Sequence, residues 1–291
     1  MDSDLMRRIV ETRRSRPEAI AVAAAGRRRR SELVGETGRL MLIAADHPAR
    51  GALRVGDDPL AMADRSELLR RLQVALERPG VDGFLGTPDL VEDLLLLGAL
   101  EDKVVIGSMN RGGLAGTSFE IDDRFTAYHA AAIAGAGLDG GKMLCRIDPD
   151  DDATVLTLQA CAAAVTDLAG HGLMAMVEPF ISHRVDGAVK NDLSTEAVIR
   201  SVTVGAALGA TSAHTWLKLP VVEDMERVAA ASTLPVLLLG GEASVNVAGV
   251  FDRWRQALKL PTVQGMVVGR ALLYPPDGDV AAAVDRTVGL L

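Results

Sequence analysis

Short apolar runs alternate with longer amphipathic stretches along most of this chain. Leu40–Ala45, Gly83–Leu85, Val104–Gly107, Lys142–Ile147, Leu173–Val177, His214–Leu219, Pro235–Leu239 and Gly265–Val268 read as eight strands. Most lack polar alternation, as expected of parallel strands covered on both faces. The stretches between them read as helices with start signals. Asp64 precedes Ser66–Glu77, Thr87-Pro88 opens Asp89–Leu100, Asp122 opens Arg124–Ala136, and Asp150 to Ala153 open Thr154–Ala169. Ser194 opens Ala197–Leu208, Glu223 opens Asp224–Ala231, Ser244 opens Val247–Leu258 and Asp279 opens Val280–Val288.

Eight strands each followed by a helix, at a repeat of about 32 residues, predict an α/β fold: a (βα)8 TIM barrel. The barrel is assigned residues 36–291, and residues 1–35 an N-terminal helical extension. A doubly wound open sheet would place Gly-x-Gly-x-x-Gly after its first strand, and Asp46-His47-Pro48-Ala49-Arg50-Gly51 is not that pattern. The run Arg27 to Arg30 reads as a solvated helix end.

Composition narrows the function classes. The chain has 291 residues, 48% of them hydrophobic, and a formal net charge of −8. Such a chain can bury a large core, which argues against disorder, and its acidic balance with only 3% aromatics argues against nucleic-acid binding. Two cysteines, Cys145 and Cys161, cannot build a disulfide framework or a four-cysteine zinc site, which fits a reducing compartment. No continuous apolar run approaches the roughly 18 residues of a membrane span. Ala19 to Ala25 is short and is closed by arginines rather than a cleavage site. The expectation is a cytoplasmic protein with no membrane partner. Lysine is scarce: Lys103, Lys142, Lys190, Lys218 and Lys259 are the five among 31 basic residues, so each lysine asks for a local reason.

In a barrel of this kind the chemistry lies at the C-terminal strand ends. Lys218 sits in Trp216-Leu217-Lys218-Leu219-Pro220, where desolvation and a neighbouring cation favour a neutral, nucleophilic amine. Glu178 and Asp46 end otherwise apolar strands and are acid/base candidates. Lys142 and Arg146 share one face of their strand; pointing inward, they would hold an anionic substrate, and pointing outward they would pair with helices. Gly240-Gly241 and Gly269-Arg270 follow the last two strands, the place where backbone N–H groups cradle phosphate in this fold.

In their order, one per strand, these segments resemble the class I, Schiff-base aldolases of the tagatose-bisphosphate and archaeal-type fructose-bisphosphate group. The resemblance spans residues 40 to 275. It implies that Lys218 forms the imine, that Glu178 is the strand-5 acid/base and Asp46 the strand-1 carboxylate, and that Gly240, Gly241, Gly269 and Arg270 bind phosphate. Two departures bear on substrate. Arg146-Ile147 stands where the tagatose-bisphosphate enzymes carry tyrosines, and Leu239 replaces a serine. An arginine there suits a carboxylate. The chain also resembles an actinobacterial group of aldolase-like barrels associated with inositol breakdown, which would imply a 5-keto-2-deoxy-phosphogluconate as substrate.

The resulting expectation is a lyase cleaving or forming a C–C bond in a phosphorylated ketose or keto-sugar acid, without cofactor or metal, as a homo-oligomer. Two other readings stand beside it. One is a metal-dependent aldolase or isomerase using His47, Glu178 and His183; the other is a non-catalytic phosphosugar-binding barrel.

Overall fold

A computed structural model of the chain describes residues 3–35, 37–240 and 247–291. Among the described residues nine strands occur, β1 Leu40–Ala44, β2 Gly83–Gly86, β3 Val104–Ser108, β4 Gly140–Ile147, β5 Met174–Val185, β6 Ala188–Asn191, β7 Thr215–Leu219, β8 Val236–Leu239 and β9 Val263–Val268. Eight of them, all but β6, pair in parallel in the order β1-β2-β3-β4-β5-β7-β8-β9, and β9 returns to β1 to close the ring. The architecture is the expected (βα)8 barrel.

Helices α1 Ser3–Ser15 and α2 Ala19–Gly26 precede the ring. Around it lie α3 Arg65–Leu76, α4 Pro88–Leu96, α5 Ala130–Gly135, α6 Ala153–Gly170, α7 Thr195–Ala206, α8 Met225–Ala230, α9 Val247–Ala257, α10 Arg270–Leu273 and α11 Val280–Val288. The caps follow side-chain chemistry: Asp64, Ser194, Asp224 and Asp279 each accept a backbone N–H of the first helical turn. Ser244, expected to open α9, lies outside the described residues. α6 is long and apolar enough by length and composition to cross a membrane, yet it buries Thr157, Cys161, Val165 and Leu168 as one of the barrel's helices.

Strand periodicity sorts side chains into two cores. Met41, Ile43, Met143, Cys145, Val177 and Leu217 point outward under the helices, and Leu40, Leu42, Ile106, Met174, Met176, Leu237 and Val267 fill the barrel. Leu33, Val34 and Trp216 pack against the inner core from below.

The Arg27 to Arg30 run departs from expectation: it fastens the barrel floor. Arg27 is buried and donates to the carbonyls of Lys103 and Gly137, each at 2.7 Å. Arg28 pairs with Asp102 at 2.8 Å, Arg29 with Asp139 at 3.0 Å and Arg30 with Asp82 at 2.5 Å. Asp82 and Asp139 in turn accept the backbone N–H of Met41 and Val105, so each pair also holds a strand start.

Two further departures shape the other end. The helix expected over Arg124–Ala136 is only α5, because residues 110–129 form a strapped loop. There the expected cap Asp122 instead pairs with Arg124 at 2.9 Å, and its neighbour Asp123 binds Arg50 and accepts the Gly113 N–H. And β5 runs past the barrel into an antiparallel hairpin with β6, turning at Asp186 and Gly187 with φ of 53° and 80°. Both central residues being left-handed is what a two-residue hairpin turn demands, and Asp-Gly is a sequence suited to it.

Candidate active site

The strand parity that buries the inner core also aims the charges. Leu40, Leu42 and Ala44 point inward along β1, and Asp46 follows at the next inward position. On β5, Met174 and Met176 are followed by Glu178; on β7, Trp216 by Lys218. On β4, Lys142 and Arg146 share the inward face, both buried, and both line a cavity of about 790 Å³ at the C-terminal end of the barrel.

At the base of that cavity the charges form one continuous chain. Lys218 Nζ lies 2.8 Å from Glu178 Oε1, and the other Glu178 oxygen meets Lys142 Nζ. Lys142 Nζ also donates to Asp46 Oδ2 at 3.1 Å. Arg111, on the loop after β3, closes the chain, with Nη2 3.2 Å from Asp46 Oδ2 and Nη1 donating to the Asp46 carbonyl at 2.6 Å. Ser108 Oγ adds a 3.3 Å hydrogen bond to the same carboxylate. Lys218 and Lys142 are only 4% and 2% exposed, so each ammonium needs its carboxylate to offset desolvation.

Burial by itself pushes both carboxyls up, but the cations outweigh it. Lys142 and Lys218 bring Glu178 down to about 2, and Lys142, Arg111 and Lys218 hold Asp46 well below the usual carboxylate range. Both are therefore anions at neutral pH. Burial, reinforced by Lys218 and Arg111, lowers Lys142 despite its two carboxylates. His47 beside Asp46 is also lowered, by burial and by Arg270 and Lys218, and is neutral.

Above this layer the wall is built by arginines. Arg146 Nη1 donates to Glu120 Oε1 at 2.7 Å and to the Glu120 carbonyl at 3.2 Å. Arg50 binds the carbonyls of Gly113 and Asn110 and the Asp123 carboxylate. Val189, Lys190 and Asn191 of the hairpin line the mouth, and Arg184 ties the hairpin down to Ser118 and Asp151.

The structure thus brings together Lys218, Glu178, Asp46, Lys142 and Arg146, and places Gly240, Gly269 and Arg270 in the lining of the same cavity, at the ends of β8 and β9 between Lys218 and Asp46 and across the ring from β4. Gly269 approaches the end of β1 so closely that a Cβ there would lie 2.5 Å from the Ala44 carbonyl oxygen. Gly241 lies outside the described residues. His47, Glu178 and His183 do not gather as a ligand set: Glu178 is held by two lysines. Among the described residues the group close enough to share a cation is Asp148, Asp150 and His183, outside the cavity lining. Arg50 and Glu120 are not among the residues singled out by sequence, and Arg111, one of the polar residues at the end of the third strand, is given no role there. Their loops have no periodic pattern, and the one cue is that Ser108-Met109-Asn110-Arg111 runs on from β3.

A family model described as Cgl0159-like matches residues 38–288. The chain belongs to the Cgl0159-like family. The crystal structure of Cgl0159 from Corynebacterium glutamicum is 53% identical, covers 100% of this chain and 97% of that one, and superposes with a TM-score of 0.97. A Schiff-base-forming fructose-1,6-bisphosphate aldolase is 18% identical, with 89% of this chain and 96% of that one covered and a TM-score of 0.64. An archaeal fructose-1,6-bisphosphate aldolase whose catalytic lysine is bound to a carbinolamine intermediate gives 17%, 89%, 96% and 0.63. At such identities the likeness to the aldolases is one of fold. No curated protein matches the chain.

Proposed function

We propose that this Cgl0159-like protein is a class I aldolase acting on a phosphorylated ketose or keto-sugar acid, with Lys218 as the imine-forming residue. The observation that carries the reading is the Lys218–Glu178–Lys142 arrangement at the base of the cavity, an amine in direct reach of a proton acceptor and of a second cation. The aldolase fold of its structural neighbours supports it.

Lys218 Nζ, as the free amine, attacks the substrate ketone. Lys142 supplies the proton with which the carbinolamine hydroxyl leaves as water, giving a protonated imine. That imine draws electrons from the adjacent C–C bond as a carboxylate takes the proton of the departing hydroxyl. The products are an aldehyde and an enamine, and reprotonation and hydrolysis of the enamine restore Lys218. Glu178 is assigned this proton transfer because it lies 2.8 Å from Lys218, whereas Asp46 is occupied by Lys142, Arg111 and Ser108. Gly240, Gly269 and Arg270, with Gly241, are assigned to the substrate phosphate. A 5-keto-2-deoxy-phosphogluconate, the substrate implied by the resemblance to the inositol-linked barrels, has the ketone and both anions this cavity would serve.

Borohydride reduction with a panel of phosphorylated ketoses and keto-sugar acids should add ligand mass to the intact protein, and Lys218→Met should abolish both adduct and cleavage. Tight binding of a phosphosugar with no adduct from any member would show a non-catalytic barrel instead.

A further inference from the structure

The guanidinium of Arg146 is only half used. Its Nη1 is spent on Glu120, while its Nε and Nη2 donate to no atom of the described residues. Arg146 is 6% exposed and lines the cavity, and Nε and Nη2 are not among the sealed, unsatisfied atoms, so this edge faces open space. A guanidinium presents two parallel N–H bonds along that edge, a fork that fits the two oxygens of a planar carboxylate. Glu120, itself buried and fixed by the Gly116 N–H, holds the fork in place.

From these facts we infer that the Arg146 fork is a carboxylate subsite and that the substrate is a phosphorylated keto acid rather than a bisphosphorylated ketose. This deepens the aldolase reading and rests on it for the ketone. Two observations set the chemical class. First, charge: Arg50, Arg111 and Arg146 are each already matched by a carboxylate, so a group bound at the Arg146 fork meets no spare arginine charge. A monoanionic carboxylate buries less uncompensated charge there than a phosphate dianion. Second, geometry: in the closed ring β4 lies opposite β9, and β7 lies midway between them. A ligand spanning from the Gly269 side to Arg146 therefore carries its middle past Lys218, which places the ketone between a phosphate end and an acid end. The acid end sits toward the mouth, since Arg146 is four residues, roughly 13 Å, further along β4 than Lys142.

The test uses ligands without a ketone, so it reads the subsite whether or not Lys218 forms an imine. Gluconate 6-phosphate and glucitol 6-phosphate differ by a carboxylate against a hydroxymethyl group, and glucitol 1,6-bisphosphate offers a second phosphate instead. Titration calorimetry on the wild-type protein should show gluconate 6-phosphate binding at least about tenfold tighter than either, the scale of a desolvated charge-assisted pair. Arg146→Gln should bring the three to within about twofold. The double variant Arg146→Gln/Glu120→Gln, which leaves no unmatched buried charge, should do the same with the fold intact by circular dichroism. Equal affinities in the wild type, no binding of gluconate 6-phosphate, a preference for the bisphosphate, or a carboxylate preference surviving in the double variant would each overturn the inference. A failure of borohydride trapping would instead remove the aldolase reading and leave this result standing.

Discussion

Arginine and aspartate meet at both ends of this barrel, with different outcomes. At the floor, Arg27 to Arg30 spend their donors on carbonyls and carboxylates that begin strands, and Asp82 and Asp139 pass the restraint on to backbone N–H groups. At the mouth, Arg146 keeps one edge unused and Lys218 has a single carboxylate partner at the cavity base. The same residue types build a foundation whose donors are spent mainly on strand starts, with Arg27 Nε sealed in without a partner, and a site where some face a cavity. Satisfied buried pairs hold structure in place; unsatisfied ones facing a cavity ask for an occupant.

The sharpest way to separate the two ends is to remove a charge from each. Glu178→Gln should lower cleavage about 10²- to 10³-fold, measured as aldehyde release, because the proton acceptor beside Lys218 is gone. It should also change stability against pH. A carboxyl held at about 2 in the folded state and near 4.5 in the unfolded chain binds more protons when unfolded. Its stabilisation is therefore fully present above the unfolded value and lost as pH falls through the folded one, up to about 3 kcal/mol. Denaturant titrations between pH 5 and pH 2.5 should show a shallower loss of stability in Glu178→Gln than in the wild type; parallel curves would deny the coupling.

At the floor the effects should be smaller and confined to stability. Arg27→Ala strands the Lys103 and Gly137 carbonyls without a donor and should cost about 2–4 kcal/mol of unfolding free energy, with cleavage unchanged once folded. Arg29→Ala removes a half-exposed pair and should cost no more than about 1 kcal/mol. Loss of turnover at full stability in either variant would contradict the division.

Much of this was legible in the chain because it rests on periodicity. Eight apolar runs with capped helices between them specify the barrel, and strand parity puts Lys142 and Arg146 on one face, while which face that is, open in the sequence, is given by the structure. What was not legible depends on partners distant in sequence. Nothing local to Arg27 to Arg30 distinguishes a solvated helix end from a clamp on Asp82, Asp102 and Asp139. Nor does an irregular loop reveal that Asp122 will pair with Arg124 rather than cap a helix, or that Asp123 will bind Arg50. The hairpin is a different kind of omission: Asp186-Gly187 between two β-prone runs is a local turn signal, present in the sequence and not read.

The most direct test of the central claim is to locate the trapped adduct. After borohydride reduction with a phosphorylated keto-sugar acid, proteolysis and fragment mass mapping should place the ligand on Lys218 and leave Lys142, which shares its carboxylate, unmodified. An adduct confined to Lys142, or cleavage that persists in Lys218→Met, would contradict it.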